Sequence, residues 1–160
     1  MKNYMKLEIA AIGENESFAR SAVAAFALCL NPSLTDLSDI KTAVSEAVTN
    51  CVVHAYAKRE KGNILLECTA EQEVDGGVLH IRISDTGCGI EDIEQATSPF
   101  YTSLSNEERS GMGFTIMQTF MDEFSIESEK DIGTVVNMVK KIASIEPQTV
   151  SKRRVVGVDA

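Results

Sequence analysis

Positive charge is scarce in this sequence. Lys and Arg number 15 against 24 Asp and Glu, a net charge of −9 over 160 residues. A nucleic-acid-binding protein needs a basic surface to displace phosphate counterions, so the balance argues against direct nucleic-acid contact. It suits a soluble chain, or one with a basic protein partner. Histidine is scarcer still, with His54 and His80 alone. The four cysteines, Cys29, Cys51, Cys68 and Cys88, include no C-x-x-C pair. A zinc framework is therefore not expected, and the thiols read as small buried hydrophobes in a reducing compartment. No apolar run approaches the ~20 residues needed to span a bilayer, and no apolar segment of signal-peptide type follows Met1–Lys6. These absences lead to the expectation of a cytoplasmic protein with no membrane association. Internal repeats and low-complexity segments are also missing.

The familiar nucleotide cradles are absent as well. There is no Walker loop G-x-x-x-x-G-K-[ST]. A Rossmann fingerprint needs G-x-G-x-x-G opening a helix inside a βαβ unit. Gly87-Cys88-Gly89 has Asp92 where the third glycine belongs, and Gly111-Met112-Gly113 has Ile116 there. The protein-kinase signatures are missing too. A nucleotide bound by this chain would need another cradle.

What is present fits one ordinary domain, with 44% hydrophobic and 24% charged residues. At this size folding buries roughly 70% of the unfolded surface. The domain is expected over residues 1–146, with 147–160 as a loose tail around Ser151-Lys152-Arg153-Arg154. Met5, Leu7 and Ile9 alternate with Lys6 and Glu8 as a half-buried strand. Asn15 stands as an N-cap before a helix with the stripe Phe18, Ala19, Ala22, Val23, Phe26, Ala27 and Leu30, ended by Asn31-Pro32. Arg20 falls off that stripe. A second helix is expected from Thr35 or Asp36 to about Tyr56. Ile64, Leu66, Cys68 and Ala70 mark a strand, Asp75-Gly76-Gly77 a hairpin turn, and Leu79, Ile81 and Ile83 its partner. A short helix over Glu91–Ala96 precedes an aperiodic loop of about fourteen residues, long enough to serve as a lid. A further amphipathic helix follows, with Phe114, Ile116, Met117, Phe120 and Met121, and then two final strands, the last over Thr134–Ile142.

Three stretches interrupt these patterns with polar or glycine-rich chemistry. On the second helix Glu46, Asn50 and His54 lie at i, i+4 and i+8 and share a face. An Asn carbonyl suits magnesium and a carboxylate can accept a proton, though polar pairs at this spacing also occur on solvated faces. Asp85-Thr86-Gly87-Cys88-Gly89 ends a strand, where the glycines permit either a tight exit or close approach to a flat ligand. Ser110-Gly111-Met112-Gly113 opens a helix, a natural phosphate seat.

In this order, Glu46-x-x-x-Asn50, Asp85-x-Gly87-x-Gly89, a lid and Gly111-x-Gly113 resemble the N, G1 and G2 boxes of the Bergerat-fold ATPases, the superfamily of gyrase B, MutL and the sensor histidine kinases. Asn15-Glu16-Ser17-Phe18-Ala19-Arg20, Val44–Asn50 and Glu108–Met117 are similar to the anti-sigma F factor family, sporulation serine kinases. The resemblance covers about residues 1–143. It implies an α/β (α+β) two-layer sandwich, with a mixed, mostly antiparallel sheet backed by helices. It implies ATP and Mg2+ as ligands. Asn50 would ligate the magnesium and Glu46 would be the base. Asp85 would accept from the adenine amino group, and Thr134 would support the base through its hydroxyl and water. Gly87 and Gly89 would let the backbone pass the adenine. Arg109, Ser110, Gly111 and Gly113 would lie near the phosphates. The acceptor would be a serine of a STAS-type anti-anti-sigma protein, Arg20 would contact that protein and a sigma factor, and the chain would act as a homodimer. Two positions depart from the pattern: Ala55 replaces a common Gly in His54-Ala55-Tyr56, and Leu104 stands where a lid Lys is expected. Three readings are thus in play. One is a serine/threonine kinase that sequesters a sigma factor. Another is a nucleotide-gated binding module with little transferase activity. The histidine-kinase reading is disfavoured, since no phospho-accepting helix is expected ahead of the ATP domain. Whether Glu46 does chemistry or only shapes the magnesium shell is open at this level.

Overall fold

The computed structural model describes residues 1–57, 60, 62–99 and 112–144. Most of the expected lid, with Leu104, Arg109, Ser110 and Gly111, and the 147–160 tail lie outside the described residues. The elements in chain order are β1 (Lys2–Ala10), α1 (Glu14–Ala27), a 3-10 turn (Leu28–Leu30), α2 (Leu34–Asn50), a π-helical segment (Cys51–Ala55), β2 (Asn63–Glu73), β3 (Gly76–Asp85), α3 (Ile93–Thr97), α4 (Gly113–Phe120), β4 (Glu123–Glu129) and β5 (Gly133–Ala143). The five strands form one sheet in the order β1-β2-β3-β5-β4, and each neighbouring pair is antiparallel.

Alternation along the strands divides the sheet into two faces. Ile64, Leu66, Cys68, Leu79, Ile81, Ile83 and Met138 are fully buried on one of them. They pack against Ala19, Val23 and Ala27 of α1 and Ile40, Ala43, Val44, Ala47 and Val48 of α2. Helix α2 lies between α1 and α4. The opposite face is polar, with an exposed Arg82–Glu67 pair at 2.7 Å across β3 and β2. The result is the expected two-layer α/β sandwich. No described helix is long and apolar enough to cross a membrane.

Helix boundaries depart from the sequence reading where local hydrogen bonds decide them. Helix α1 starts after Gly13 with no side-chain cap. Asn15 instead donates its Nδ2 to the Ala10 carbonyl at 2.9 Å, tying the helix to the end of β1. Helix α2 starts before Thr35 because Ser33 and Asp36 form a capping box. Ser33 Oγ accepts the Asp36 amide at 3.0 Å, while Asp36 Oδ2 accepts the Ser33 amide at 3.0 Å. Two orphan donors are thereby satisfied together. The α-helical part ends at Asn50 rather than near Tyr56, and the chain continues with wider π turns. The α spacing that would carry the Glu46/Asn50 face on to His54 therefore stops at Cys51.

One inward position of β5 is charged. Lys140 is 8% exposed, beside Val136, Met138 and Ile142 on the same face. Its Nζ donates to Asp39 Oδ2 at 2.7 Å and to the Phe120 carbonyl at 2.9 Å, with Asp36 Oδ1 at 3.9 Å. A buried ammonium needs partners of this kind. Lys140 joins β5, the first turns of α2 and the last residue of α4.

Candidate functional site

The α2 stripe buries Val44, Ala47 and Val48, which directs Glu46 and Asn50 away from the core and toward α4. Gly113 is the first residue of α4. A methyl group built on it would lie 3.1 Å from Glu46 Oε2 and 3.4 Å from both terminal atoms of the Asn50 carboxamide. The start of α4 thus touches the two polar side chains of α2. The first amides of a helix have no intrahelical acceptor and carry the positive end of its dipole. A carboxylate, a carboxamide and such a helix start, gathered within a few ångströms, can hold an anion and its counter-cation. For magnesium the donor set fits. Asn50 offers a hard carbonyl oxygen, and magnesium typically takes one or two protein oxygens with phosphates and water. Among the described residues no cluster of three or more His, Cys, Asp or Glu could form an all-protein cage.

Asp85 closes β3 at the other end, opposite Ile64 of β2 and Thr134 of β5. It is 8% exposed, and burial raises its carboxyl above the usual aspartate range. Hydrogen bonds from the Gly87 amide, the Cys51 thiol and the Thr134 amide oppose that rise. Oδ1 accepts from Gly87 at 2.8 Å, and Oδ2 faces Cys51 Sγ at 3.5 Å.

The loop after Asp85 is docked on the π-helical segment. The Cys88 amide donates to the Ala55 carbonyl at 2.8 Å, and the Cys88 thiol to the His54 carbonyl at 3.3 Å. The Thr86 amide donates to the Tyr56 hydroxyl at 3.1 Å, which itself donates to the Asn63 carbonyl at 2.8 Å. A Cβ at Gly87 would overlap the Ala55 peptide, so glycine is required there by contact. Gly89 has φ +68°, and a Cβ there would strike the Glu129 carbonyl. Ser128 fastens the far side of the loop. Its Oγ accepts the Ile90 amide at 2.8 Å and donates to the Gly133 carbonyl at 3.0 Å. With that proton committed, Thr134 Oγ1 is the donor in its 2.7 Å contact with Ser128.

Arg20 lies on α1, half exposed, with Nη1 3.4 Å from Glu16 Oε1. The same Glu16 oxygen accepts from Ser45 Oγ, the neighbour of Glu46. A polar chain therefore runs from the α1 surface to the residue beside Glu46 on α2.

Of the residues singled out from sequence, Glu46, Asn50 and Gly113 meet at one end of α2, while Asp85, Gly87, Gly89 and Thr134 gather where β3 and β5 finish. The two groups are joined through consecutive residues, since Asn50 faces α4 and Cys51 faces Asp85. Cys51 and Ser128 are parts of the site that the sequence reading passed over, while Ala55, noted there as a departure from the pattern, is the contact partner of Gly87 and Cys88. A buried Cys looks like core filler, and a Ser in a strand carries no positional signal.

A family model described as a histidine kinase-like ATPase domain matches residues 10–140. The chain is 50% identical over 144 residues to an anti-sigma F factor of Clostridium novyi (strain NT), covering 90% of this chain and 98% of that one. It is 44% identical over 143 residues to an anti-sigma F factor of Bacillus licheniformis, covering 89% and 95%. Among solved structures, the RsbU and RsbW domains of a Mycobacterium tuberculosis protein align with a TM-score of 0.61 at 17% identity. That alignment covers 89% of this chain and 33% of that one, a likeness of fold.

Proposed function

This chain belongs to the anti-sigma F factor family of histidine kinase-like ATPase domains, and we propose that it is an ATP-dependent serine kinase that also captures a sigma factor. The observation that carries the reading is that a Cβ built on Gly113 would lie 3.1 Å from Glu46 and 3.4 Å from Asn50, so a carboxylate, a carboxamide and a helix start converge at one point. Phosphoryl transfer asks mainly for positioning and charge neutralisation, with little covalent work for the protein.

In this reading the ionised Asp85 accepts a hydrogen bond from the adenine amino group. Gly87 and Gly89 leave the backbone close to the base, and Thr134 supports the adenine through its hydroxyl and water. Gly113 presents the α4 amides to the phosphates, and Arg109, Ser110 and Gly111 of the preceding segment are assigned to the same anion. Asn50 would hold magnesium through its carbonyl oxygen, and the bound ion would supply neutralisation of the charge on the transferring group. Glu46 takes the proton of the acceptor serine as its oxygen bonds to the γ-phosphorus and ADP departs. A well-placed base contributes about 10²–10⁴-fold.

The acceptor is a serine on a STAS-type anti-anti-sigma protein. Arg20, held by Glu16 on an exposed stretch of α1, contacts that protein and the sigma factor. The setting is the cytoplasm and the working form a homodimer. The names of the relatives support a sigma factor as partner, and the net charge of −9 favours a basic one. The test is to incubate the purified chain with ATP, Mg2+ and a STAS-type acceptor, and to map the product by mass spectrometry. Stoichiometric phosphoserine on the acceptor is expected. Acceptor that stays unmodified while nucleotide still governs its binding would show a gated binding module instead.

A further inference from the structure

The two oxygens of Asp85 are held unequally. Oδ1 accepts a short hydrogen bond from the Gly87 amide at 2.8 Å, whereas Oδ2 has the Cys51 thiol at 3.5 Å. The Thr134 amide also donates to this carboxylate. The terminal torsion of an aspartate is broad, so each donor narrows its swing, and the thiol is the donor on Oδ2. Each carboxylate oxygen has two lone-pair directions, so Oδ2 can accept the thiol and still accept from a ligand.

Cys51 can fill this role because of where α2 ends. It is the first residue of the π-helical segment and is 6% exposed. Asn50 faces Gly113 and the next residue, about 100° further round the helix, faces Asp85. The Cys51 Sγ lies 3.5 Å from Asp85 Oδ2, and a carboxylate oxygen can only accept, so the thiol is the donor of the pair.

We propose that Cys51 is a positioning residue for nucleotide specificity: its S–H fixes the rotation of the Asp85 carboxylate that reads the adenine amino group. This rests on the adenine reading of Asp85 made above. Cys51 does not touch the nucleotide. It acts through Asp85, so its contribution appears only with ligands that carry the amino group. A thiol is a weak donor, and the loss expected on its removal is about three- to tenfold in affinity.

The experiment titrates the full chain with ATP and with purine riboside triphosphate, which lacks the 6-amino group, in the presence of Mg2+. Wild type, Cys51→Ala and Cys51→Ser are compared. Wild type should prefer ATP. Cys51→Ala should bind ATP about three- to tenfold more weakly, bind the analogue as wild type does, and so lose part of the discrimination. Cys51→Ser, which keeps an O–H donor, should restore it. If Cys51→Ala retains the full preference, or weakens both ligands equally, the proposal is overturned while the adenine reading stands. If wild type itself binds both ligands equally, the adenine reading fails and the proposal fails with it. Should Cys51→Ala not fold at the working temperature, Cys51→Val, which keeps the site filled but has no donor, carries the same comparison.

Discussion

Gly113→Ala isolates the contact at the centre of the site. Unlike Gly89 at φ +68° and Gly133 at φ +140°, Gly113 does not adopt a left-handed conformation, so alanine causes no backbone strain there. What the new methyl meets is Glu46 Oε2 at 3.1 Å and the Asn50 carboxamide at 3.4 Å. The Glu46 contact is tighter than van der Waals separation, whereas the Asn50 contact is an ordinary one. The Glu46 side chain, or the start of α4, must therefore give by a few tenths of an ångström. A misplacement of 1 Å in a reacting constellation can cost about 10²-fold, so a shift of this size should lower phosphoryl transfer by about tenfold. Folding should not suffer. Alanine in place of a helical glycine is favourable by up to about 1 kcal/mol, and less at the first position. The assay pairs initial rates of γ-phosphoryl transfer with a thermal melt. Slower transfer with an unchanged or raised midpoint is the expected result. Wild-type transfer rates in Gly113→Ala would refute the placement of Glu46 and Asn50 as the reacting constellation.

Three further outcomes follow from the same geometry. On the proposed role, Asp85 accepts from adenine in its ionised form, and in the free protein its carboxyl lies above the usual aspartate range. Bound ATP stabilises the ionised form, so affinity should be level near neutrality and fall as pH drops through the raised pKa, by at most about tenfold per pH unit. A nucleotide titration from neutral to mildly acid pH checks this, and an affinity that rises on acidification would contradict it. Lys140→Met should cost about 3 kcal/mol in denaturant unfolding, because Asp39 loses its 2.7 Å partner and the Phe120 carbonyl its donor. A variant as stable as wild type would show that the buried ammonium is dispensable. Arg20→Glu reverses an exposed charge remote from Asp85. It should weaken capture of the acceptor and sigma proteins severalfold in a pull-down while ATP affinity stays within twofold, as is usual for surface charges acting on encounter.

Much of the fold was legible because it rests on periodicity. The alternation of Leu79, Ile81 and Ile83 and the stripe Val44, Ala47, Val48 report burial directly, and both are buried as expected. Boundaries were less legible because single hydrogen bonds set them. Ser33 and Asp36 start α2 earlier than the first charged residues suggest, and Asn15 serves β1 rather than capping α1. The π turns after Asn50 are invisible in sequence, since Cys51-Val52-Val53 continues an apolar helical pattern. They nevertheless place the Ala55 carbonyl on the Cys88 amide. They also explain contact at Gly87, where the departure from His-Gly-Tyr to His54-Ala55-Tyr56 is accommodated by the absent side chain across the interface. Lys140 was hidden because a lysine in a strand is read as solvated, and only the tertiary arrangement brings Asp39 and the Phe120 carbonyl to it. Within the site, the residue types at Glu46, Asn50 and Asp85 carried chemistry on their face. Cys51 and Ser128 carry it only through the partners that folding supplies.

In the proposed mechanism Glu46 acts as the base at a nucleotide site it shares with Asn50. Single-turnover transfer from pre-bound, γ-labelled ATP to the serine acceptor, comparing wild type with Glu46→Gln, tests it most directly. Glutamine preserves size and hydrogen bonding but cannot take the proton. Binding of ATP should be retained and the transfer rate should fall by about 10²–10⁴-fold. Transfer by Glu46→Gln at the wild-type rate, with ATP equally bound, would contradict the account.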